Sequence, residues 1–348
     1  MKIEEHVALA SLTTFGIGGP ARWFVEAANE AEIVEAVEWA RERSVPLFVL
    51  GGGSNLLVSD TGFAGLVLRV GLKGITWDED GGDRVYDRIC RVAAGEDWDE
   101  FVTCAVEADC AGIECLAGIP GTVGGTPVQN VGAYGQEVSE TIERVRVLDL
   151  QTLMFREMAA EECGFAYRRS IFNSAKRGRF LVVRADYRLR RGGLASIRYA
   201  DLKKVFSEGA EPRLAEVAAA VRRIRQSKGM LLEDGDADCR SAGSFFKNPI
   251  VPESFFAELS ARLGLEPPHY PGGAGQVKLP AAWLIEKAGF AKGYSVGRAG
   301  ISSRHTLALV NLGGATAAEM LALKDVIVAG VRGKFGVELQ MEPVLVGF

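Results

Sequence analysis

The sequence predicts an α+β protein of two or three domains. Its 348 residues exceed the roughly 150 that one domain usually contains. Segments with apolar residues three and four positions apart, typical of amphipathic helices, are interspersed with short apolar runs that are typical of strands. With 48% hydrophobic and 24% charged residues, the composition is that of an ordinary soluble globular protein.

Charge and composition argue against several classes of protein. The net charge of −5 disfavours a nucleic-acid-binding surface as the main function. No apolar run approaches the roughly 20 residues needed to span a bilayer, and the chain starts with acidic residues where a signal peptide carries basic ones. We therefore expect no nucleic-acid partner, no membrane segment and a cytoplasmic location. Six cysteines without a Cys-x-x-Cys pair and three widely spaced histidines predict no metal site.

The first third of the chain predicts a glycine loop between two strands. Asn29 and Glu32 form a capping-box pattern at the start of an amphipathic helix, as do Asp97 with Glu100 and Thr316 with Glu319 further along the chain. An apolar run at 47–50 then predicts a buried strand. The sequence Gly-Gly-Gly-Ser-Asn follows at 51–55, and residues 56–58 are apolar again. The glycines therefore connect two strands rather than a strand and a helix.

The first glycine loop, residues 51–55, fits either a phosphate cradle or a plain turn. A Walker A loop and a dinucleotide fingerprint both lead into a helix, whereas a strand is predicted after Asn55. Consecutive backbone N–H groups between two strands can instead cradle a diphosphate. Three glycines in succession cost more chain entropy than a tight turn requires. The cradle is therefore favoured, and the plain turn remains the alternative.

A second glycine segment, residues 117–135, predicts irregular but buried backbone. Its six glycines and two prolines are incompatible with regular helix or strand. Its apolar residues are unlike those of a solvated linker. A buried irregular backbone must satisfy its polar groups, and wrapping around a large polar cofactor does so. The alternative is an Ω-loop packed on its own side chains.

The middle of the chain predicts antiparallel strands and a possible anion clamp. Between 181 and 189, apolar residues alternate with charged ones, which predicts a half-buried antiparallel strand. Arg168 and Arg169 lie among aromatic residues. They fit either surface ion pairs or a clamp for a carboxylate, because guanidinium groups bind carboxylates bidentately. Tyr199, in a polar connection, is equally open to a structural or a binding role.

The last third predicts four helices and a closing strand. An amphipathic helix from Leu214 to Ile224 ends in basic residues, including Arg225 and Lys228, that complement the helix dipole without any ligand. Further helical patterns lie at 254–263, 280–288 and 316–332. The apolar run 337–346 predicts a strand that contains Glu342. This carboxylate is either exposed at a sheet edge or a buried functional acid.

The serine segment, residues 241–249, gathers several reactive or binding groups. Gly243 frees the backbone to turn before Ser244. Lys247 and Asn248 can bind phosphate or carbonyl oxygens, and Pro249 ends the segment. Taken alone, the segment is as consistent with a polar turn as with a catalytic loop.

In order and spacing, these segments resemble the UDP-N-acetylenolpyruvoylglucosamine reductase (UDP-N-acetylmuramate dehydrogenase) family, flavoenzymes of peptidoglycan synthesis. The resemblance covers nearly the whole chain. Tyr199 lies where the longer form of the family carries a tyrosine on a loop that covers the substrate. The motifs that carry the resemblance are Thr13–Gly16, Gly51–Asn55, Ile119–Gly125, Gln129–Gly135, Phe165–Arg168, Gly243–Pro249 and Glu342–Pro343.

The resemblance implies an α+β fold with a vanillyl-alcohol-oxidase (PCMH)-type FAD-binding domain of two lobes and a smaller α+β substrate-binding domain. It places the first lobe at 1–70, the second at 71–225 with the C-terminal strand 335–348 completing it, and the substrate-binding domain at 226–334. It also implies non-covalent FAD. The residues expected to contact FAD are Gly51, Gly52, Gly53, Ser54, Asn55, Ile119, Pro120, Gly121, Gly124, Gly125, Thr126, Gln129, Asn130, Gly132, Ala133 and Tyr134.

The activity that the resemblance implies is NADPH-dependent reduction of UDP-N-acetylglucosamine enolpyruvate to UDP-N-acetylmuramate by a monomer. Hydride from reduced FAD would add to the vinyl carbon, and Ser244 would protonate the neighbouring carbon. Arg168 would neutralise the substrate carboxylate, which Glu342 would help to polarise. The residues expected to bind the substrate are Tyr167, Arg168, Tyr199, Lys228 and Asn248, with Tyr134 nearby.

Two other functions remain as alternatives. One is a different FAD-dependent oxidoreductase of the same fold. Many of these attach flavin to a histidine or cysteine, and the two glycine regions contain neither, although Cys115 lies just upstream of the second. The other is a non-enzymatic nucleotide-sugar-binding protein, which has no use for two glycine regions. In some family members, the residue at the position of Thr306 has a polar side chain near the substrate diphosphate. That contact is not transferred to Thr306 in this chain.

Overall fold

The computed structural model describes residues 1–78 and 87–348, which form two compact units. The first unit comprises Met1–Val7, Pro20–Gly53 and Phe63–Ser227. The second comprises Ala8–Gly19, Ser54–Gly62 and Lys228–Phe348. The division therefore falls within the first glycine loop, after Gly53.

Helices and strands are both short and numerous. The helices are Glu30–Glu42 (α1), Trp98–Glu107 (α2), Ala200–Val205 (α3), Leu214–Ser227 (α4), Glu253–Leu263 (α5), Ala281–Lys287 (α6) and Ala317–Phe335 (α7). The strands are Glu4–Ala8 (β1), Pro20–Ala27 (β2), Leu47–Leu50 (β3), Leu56–Val58 (β4), Phe63–Val70 (β5), Ile75–Trp77 (β6), Asp87–Ala93 (β7), Cys110–Ala111 (β8), Gly132–Ala133 (β9), Gln136–Glu137 (β10), Ile142–Asp149 (β11), Met154–Ala159 (β12), Phe180–Arg191 (β13), Ile250–Pro252 (β14), Tyr270–Gly273 (β15), Gln276–Lys278 (β16), Ser295–Val296 (β17), Ala299–Ile301 (β18), Leu309–Asn311 (β19) and Val344–Val346 (β20).

Side-chain caps start the helices where the sequence predicts them. Asn29 Oδ1 accepts a hydrogen bond from Glu32 N (2.9 Å) at α1, and Asp97 Oδ1 accepts one from Glu100 N (3.0 Å) at α2. At α7, Thr316 Oγ1 accepts from Glu319 N (3.1 Å), while the Glu319 carboxylate accepts from Thr316 N (2.9 Å). Each cap satisfies a backbone N–H that the first turn leaves without a partner.

Two sheets organise the first unit. One has the strand order β1-β2-β5-β3, in which β5 pairs in parallel with both β2 and β3. The other is six-stranded, with the order β12-β11-β13-β7-β6 and with β8 paired to β13. The predicted buried face of β13 is confirmed, since Leu181, Val183, Ala185, Tyr187 and Leu189 are all buried, but Val182 and Asp186 on the opposite face are buried as well. Its opposite face carries Arg184, whose guanidinium pairs with Asp186 (2.7 Å).

The second unit packs short strands around α7. Its sheets have the orders β14-β16-β15, β17-β18-β19 and β20-β4. The apolar stripe of α7 is buried in its core and comprises Met320, Leu323, Ile327, Val331 and Phe335.

The closing strand differs from the sequence prediction in both length and partner. Only Val344–Val346 of the predicted run forms a strand, because Pro343 has no N–H to donate to a ladder. This strand pairs in parallel with Leu56–Val58, in the second unit, rather than joining the six-stranded sheet. The assignment of cofactor and substrate binding to 1–70, 71–225 and 226–334 stays a prediction.

Cysteine side chains are all free thiols, and five of the six are buried. Within the ranges 1–78 and 87–348, His, Cys, Asp and Glu side chains form no group of three that could hold a metal ion. The same ranges contain no helix that is both long and apolar enough to cross a membrane.

The cap of α7 gives a first testable prediction. Thr316→Ala should lower the free energy of unfolding by about 1 kcal/mol, because the N–H of Glu319 loses its acceptor. Urea unfolding followed by circular dichroism measures the change. Ser207→Ala is the control, since it removes an exposed hydroxyl from a loop. Equal unfolding midpoints for the two variants would contradict the assignment of Thr316 as a stabilising cap.

Candidate active site

The first glycine loop lies against the second glycine segment, backbone to backbone. A Cβ atom on Gly52 would be 2.5 Å from Gly121 Cα, and one on Gly51 would be 2.9 Å from Thr122 Oγ1. Gly53 has φ +66°, a left-handed conformation that favours glycine. The loop connects β3 to β4, as predicted from sequence. Glycine is therefore required at 51–53 for close approach and for conformation.

The hydroxyl of Thr122 marks a polar position between the two glycine regions. Thr122 Oγ1 is buried and has no hydrogen-bond partner among the residues that the structure describes. A buried hydroxyl without a partner is costly unless a ligand supplies one. A phosphate oxygen beside the glycine loop would accept this hydrogen bond. Sequence analysis missed Thr122, whose only signal was a hydroxyl between closely spaced glycines.

Part of the second glycine segment is satisfied by the protein itself. The N–H groups of Val123, Gly124 and Gly125 donate to Glu96 O (2.9 Å), Ala94 O (2.8 Å) and Thr122 O (2.9 Å) respectively. The first two bonds hold the segment against the chain that follows β7, and the third closes a turn within the segment. Polar contacts to a ligand have to come from other groups, such as the Thr122 hydroxyl.

Thr126 and Asn130, both expected to contact the cofactor, have their side chains inside the protein. Thr126 Oγ1 is 2.7 Å from Tyr187 Oη, and the residue is buried. Asn130 Nδ2 donates to Glu137 Oε2 (2.8 Å) and to Ala166 O (3.1 Å), and its Oδ1 accepts from Ser139 N (3.0 Å). Both side chains brace the segment rather than pointing a free polar group outward.

Tyr134 and Gly135 form the turn of a small hairpin between β9 and β10. Both have positive φ angles, +50° and +86°. The Tyr134 ring packs edge-on against Tyr199, with 5.4 Å between ring centroids. Arg225 is buried nearby, with Nε donating to Gly118 O (2.9 Å). Burial lowers the pKa of the Arg225 guanidinium, and its hydrogen bond with Tyr134 opposes that change.

Arg225 and Arg222 therefore do more than complement a helix dipole, which was the role expected from sequence. Arg222 Nη2 lies 2.7 Å from Asp99 Oδ1 and ties α4 to α2. Arg225 reaches the first residues of the second glycine segment. Neither contact could be inferred from the helical pattern, because both partners are distant in sequence.

Arg168 lies in a tight turn with a strained backbone. Ala166 and Arg169 pair with each other on either side of it (2.9 and 3.0 Å). Arg168 has φ +53°, which costs a non-glycine residue about 1 kcal/mol. Its Nη2 donates to Gly132 O (2.7 Å), and its guanidinium lies 5.3 Å from the Tyr167 ring centroid. Strain of this kind is commonly retained where a side chain has to be aimed at a ligand.

Ser244 and Glu342 lie on neighbouring antiparallel runs of chain in the second unit. Glu342 N donates to Phe245 O (2.8 Å), and Lys247 N donates to Gln340 O (2.9 Å). Among residues 1–78 and 87–348, Ser244 Oγ makes no hydrogen bond, and the residue is half-buried. The structure thus brings together two of the three residues predicted to be catalytic, while Arg168 belongs to the first unit.

Buried aromatic rings hold the serine segment in place. Phe245 and Phe246 are fully buried, and Phe245 packs against Phe15 (6.2 Å between ring centroids). Thr14 Oγ1 donates to Ser241 O (2.6 Å), so the Thr13–Gly16 motif supports the segment. Gly243 has φ +70°, which explains the glycine before Ser244.

The remaining predicted site residues of the second unit are tied to backbone or to other side chains. Asn55 Nδ2 donates to Glu342 O (3.2 Å), which links the first glycine loop to the predicted acid. Asn248 Oδ1 accepts from Ala281 N (2.9 Å) at the start of α6. Thr306, almost fully buried, donates its hydroxyl to Glu286. Its side chain is therefore already engaged within the protein.

Comparison with known proteins identifies the chain at two levels. A model of an FAD-binding domain matches residues 21–152, and one for the C-terminal domain of UDP-N-acetylenolpyruvoylglucosamine reductase matches residues 235–346. The reductase of that name from Thermobifida fusca is 48% identical over 99% of this chain and 98% of its own. The one from Streptomyces avermitilis is 47% identical over 99% and 95%.

A solved structure agrees with this similarity. The crystal structure of the reductase from Thermus caldophilus matches with a TM-score of 0.68 and 28% identity, covering 99% of both chains. The domain match and the named relatives define an FAD-binding oxidoreductase of α+β fold, as the sequence predicted. The chain belongs to the UDP-N-acetylenolpyruvoylglucosamine reductase family.

The close approach of the two glycine regions gives a second prediction. Gly52→Ala should weaken FAD binding by about 1–3 kcal/mol, the usual cost of forcing an atom into a packed site. The FAD content after gel filtration and the FAD dissociation constant measure the effect. Gly333→Ala, on α7, is the control because a Cβ there meets no atom within 4 Å. Normal FAD affinity in a folded Gly52→Ala variant would contradict the cradle.

Proposed function

We propose that this protein reduces UDP-N-acetylglucosamine enolpyruvate to UDP-N-acetylmuramate, with NADPH as the reductant and FAD as a non-covalent cofactor. The observation that supports the proposal is the hydrogen bond from Glu342 N to Phe245 O, which pairs the backbone of the serine segment with that of Glu342. The names of the relatives support the substrate. When bound, FAD supplies the hydride for the vinyl carbon after NADPH has reduced it.

Ser244 donates the proton that completes the reduction. Hydride addition to the terminal vinyl carbon puts negative charge on the neighbouring carbon and its carboxylate. That carbon needs a positioned acid. An alcohol is a weak acid in water, but a carbanion is basic enough to take its proton. The Ser244 hydroxyl suits this role because it is engaged by none of the residues described.

Arg168 and Glu342 stabilise the charge that develops on the substrate. The guanidinium of Arg168 can pair with a carboxylate through two N–H groups. Its turn is fixed by backbone pairing and by Asn173 Nδ2, which donates to Arg168 O (3.2 Å). Glu342 hydrogen-bonds the same substrate group. Preorganised groups of this kind usually supply the largest part of a barrier reduction.

Binding of the UDP part falls to Tyr167, Tyr199, Lys228 and Asn248, with Tyr134 beside Tyr199. The Asn248 carbonyl oxygen caps α6, which leaves its Nδ2 group as the donor for a substrate oxygen. Lys228 supplies a positive charge for the diphosphate. Tyrosine rings supply apolar surface for the uracil and sugar rings.

The proposed enzyme is a monomer. A monomer has a mass of 37.3 kDa, and light scattering on a gel-filtration column tests it. The cytoplasmic location, the absence of a nucleic-acid partner and the longer, tyrosine-loop form of the family stay predictions from sequence. FAD binding by 1–225 and substrate binding by 226–334 belong to the same proposal.

The role of Ser244 gives a third prediction. In Ser244→Ala, NADPH should still bleach the flavin anaerobically at close to the wild-type rate, because this step needs no proton from the serine. Reoxidation by the enolpyruvyl substrate should slow by about 100-fold or more, the contribution typical of a positioned acid. Stopped-flow absorbance of the flavin measures both half-reactions separately.

Controls for this experiment separate the possible failures. Ser207→Ala removes an exposed loop hydroxyl and should leave both half-reactions unchanged. Slow flavin reduction with normal reoxidation in Ser244→Ala would refute the assigned role. A wild-type flavoprotein that NADPH bleaches but the enolpyruvyl sugar nucleotide does not restore would point to a different oxidoreductase. A protein that stays colourless with added FAD would exclude both.

A further inference from the structure

Glu114 is a fully buried carboxylate that lies directly before the second glycine segment. It belongs to the single helical turn Glu114–Leu116 and has no exposed surface. In the described part of the chain it pairs with no lysine or arginine. An uncompensated buried carboxylate is expensive, and an apolar side chain in its place is often more stable. The hydrogen bonds that the Glu114 carboxylate accepts therefore have to compensate for the cost of burying it.

Three N–H donors satisfy the Glu114 carboxylate. Gly112 N donates to Oε2 (2.8 Å), while Ser196 N and Gln136 Nε2 both donate to Oε1 (2.8 Å each). Hydrogen bonds to an ionised acceptor are about twice as strong as neutral ones. Ser196 and Gln136 are distant from Glu114 in sequence. One carboxylate therefore joins two separate segments of the first unit.

Each of these two segments carries one ring of a packed pair, Tyr199, which is assigned to the substrate, and Tyr134 beside it. Gln136 pairs with Ala133 across the Tyr134–Gly135 turn. Ser196 lies three residues before Tyr199. Both belong to residues 192–199, called here the tyrosine segment, which forms neither helix nor strand. A Cβ atom on Gly135 would lie 3.2 Å from Arg198 Cβ, so the hairpin turn packs directly on this segment.

Cys115 adds a second connection between the same two segments. Its N–H donates to Gln136 Oε1 (2.8 Å), and its thiol donates to Ser196 O (3.2 Å). Burial and the Glu114 charge raise the pKa of this thiol, so it stays protonated as the donor. Gln136 and Ser196 are thereby held from both sides by consecutive residues.

We propose that Glu114 is a positioning residue that fixes the Tyr134–Tyr199 pair for binding of the nucleoside-diphosphate substrate. The inference rests on the proposed function, which assigns Tyr199 to that substrate and has Tyr134 beside it. Glu114 acts through Gln136 on the Tyr134 hairpin and through the Ser196 amide on the tyrosine segment. The 5.4 Å edge-on packing of the two rings follows from holding both backbones to one carboxylate.

Glu114→Gln tests the anchoring directly. Both carboxylate oxygens of Glu114 accept hydrogen bonds, whereas the amide introduced by Glu114→Gln has only one oxygen. In either orientation, the NH₂ group of that amide would therefore face an N–H donor that has lost its acceptor. Amide hydrogen exchange in 132–137 and 192–199 should accelerate by about tenfold, and the substrate dissociation constant should rise by about tenfold, within the range for coupled contacts. With FAD added to saturation, the rate of flavin reduction by NADPH should stay at the wild-type value.

Asp149→Asn is the matched control. Asp149 is also a buried carboxylate of the first unit, and it accepts from Gln151 N (2.9 Å) and from Arg179 (2.9 Å). It has no connection to either tyrosine segment in the described structure. The same change from acid to amide should therefore leave exchange in 132–137 and 192–199 unchanged. Accelerated exchange there in both variants would mean general loosening and would overturn the inference.

A double-mutant cycle with Tyr199→Ala shows whether Glu114 acts through the tyrosine. If it does, Glu114→Gln should have little further effect on substrate affinity once Tyr199 is gone. Losses that simply add would overturn the inference. So would normal substrate binding by Tyr199→Ala. Gln136→Met, which breaks only the branch to Tyr134, serves where Glu114→Gln does not fold and should accelerate exchange in 132–137.

These readouts are separable from the proposed function. A wild-type holoenzyme that does not reduce the enolpyruvyl substrate would refute that function, and with it the substrate role assigned to the pair. Exchange in Glu114→Gln that matches the wild type would overturn the inference even in an enzyme that turns over normally.

Discussion

The contact between Gly52 and Gly121 is the constraint on which the proposed cofactor cradle depends. Backbone meets backbone there, and even a methyl group would collide with Gly121 at 2.5 Å. The second glycine segment is also confined on its other side, because a Cβ atom on Gly124 would lie 2.6 Å from Ala94 Cβ. An irregular segment thus lies between a loop and the end of a strand, which places the unpartnered Thr122 hydroxyl next to the loop. A phosphate fits this arrangement because it accepts hydrogen bonds from several directions.

In the second unit, backbone pairing and buried aromatic rings fix the position of Ser244, the proposed proton donor. Ser244 is held by its neighbours rather than by its own hydroxyl. Gly243 turns the chain, Phe245 and Phe246 fill the core, and Glu342 N bonds Phe245 O. Because the hydroxyl takes no part in holding the segment, it is available to the substrate. In each unit, the backbone around a polar side chain is fixed by close packing, while the hydroxyl itself, of Thr122 or of Ser244, has no hydrogen-bond partner among the described residues.

The sequence predicted those features whose causes are local. Asn29, Asp97 and Thr316 cap helices because each side chain reaches an amide three residues away. Strand β13 alternates because one of its faces is buried. The closing strand was predicted too long because apolar composition outweighed the missing N–H of Pro343, and its partner β4 lies almost the whole chain away. Composition located the glycine regions, the serine segment and Glu342, and motif resemblance supplied their expected roles. The contacts of Arg225 and the unpartnered hydroxyl of Thr122 were not predicted, because their environment is made by residues distant in sequence.

Within the second glycine segment, resemblance alone could not separate residues that hold the backbone from residues that contact a ligand. Asn130 shows the difference. Its side chain joins Glu137, Ser139 and Ala166, and thereby connects the glycine segment to the turn that carries Arg168. Arg168 in turn donates to Gly132 O. A polar residue in this motif is therefore connected to the turn of Arg168, which we propose to be catalytic, while its own polar groups are all hydrogen-bonded within the protein. The polar groups best suited to a ligand are those left without partners, and finding them requires a complete account of the buried hydrogen bonds.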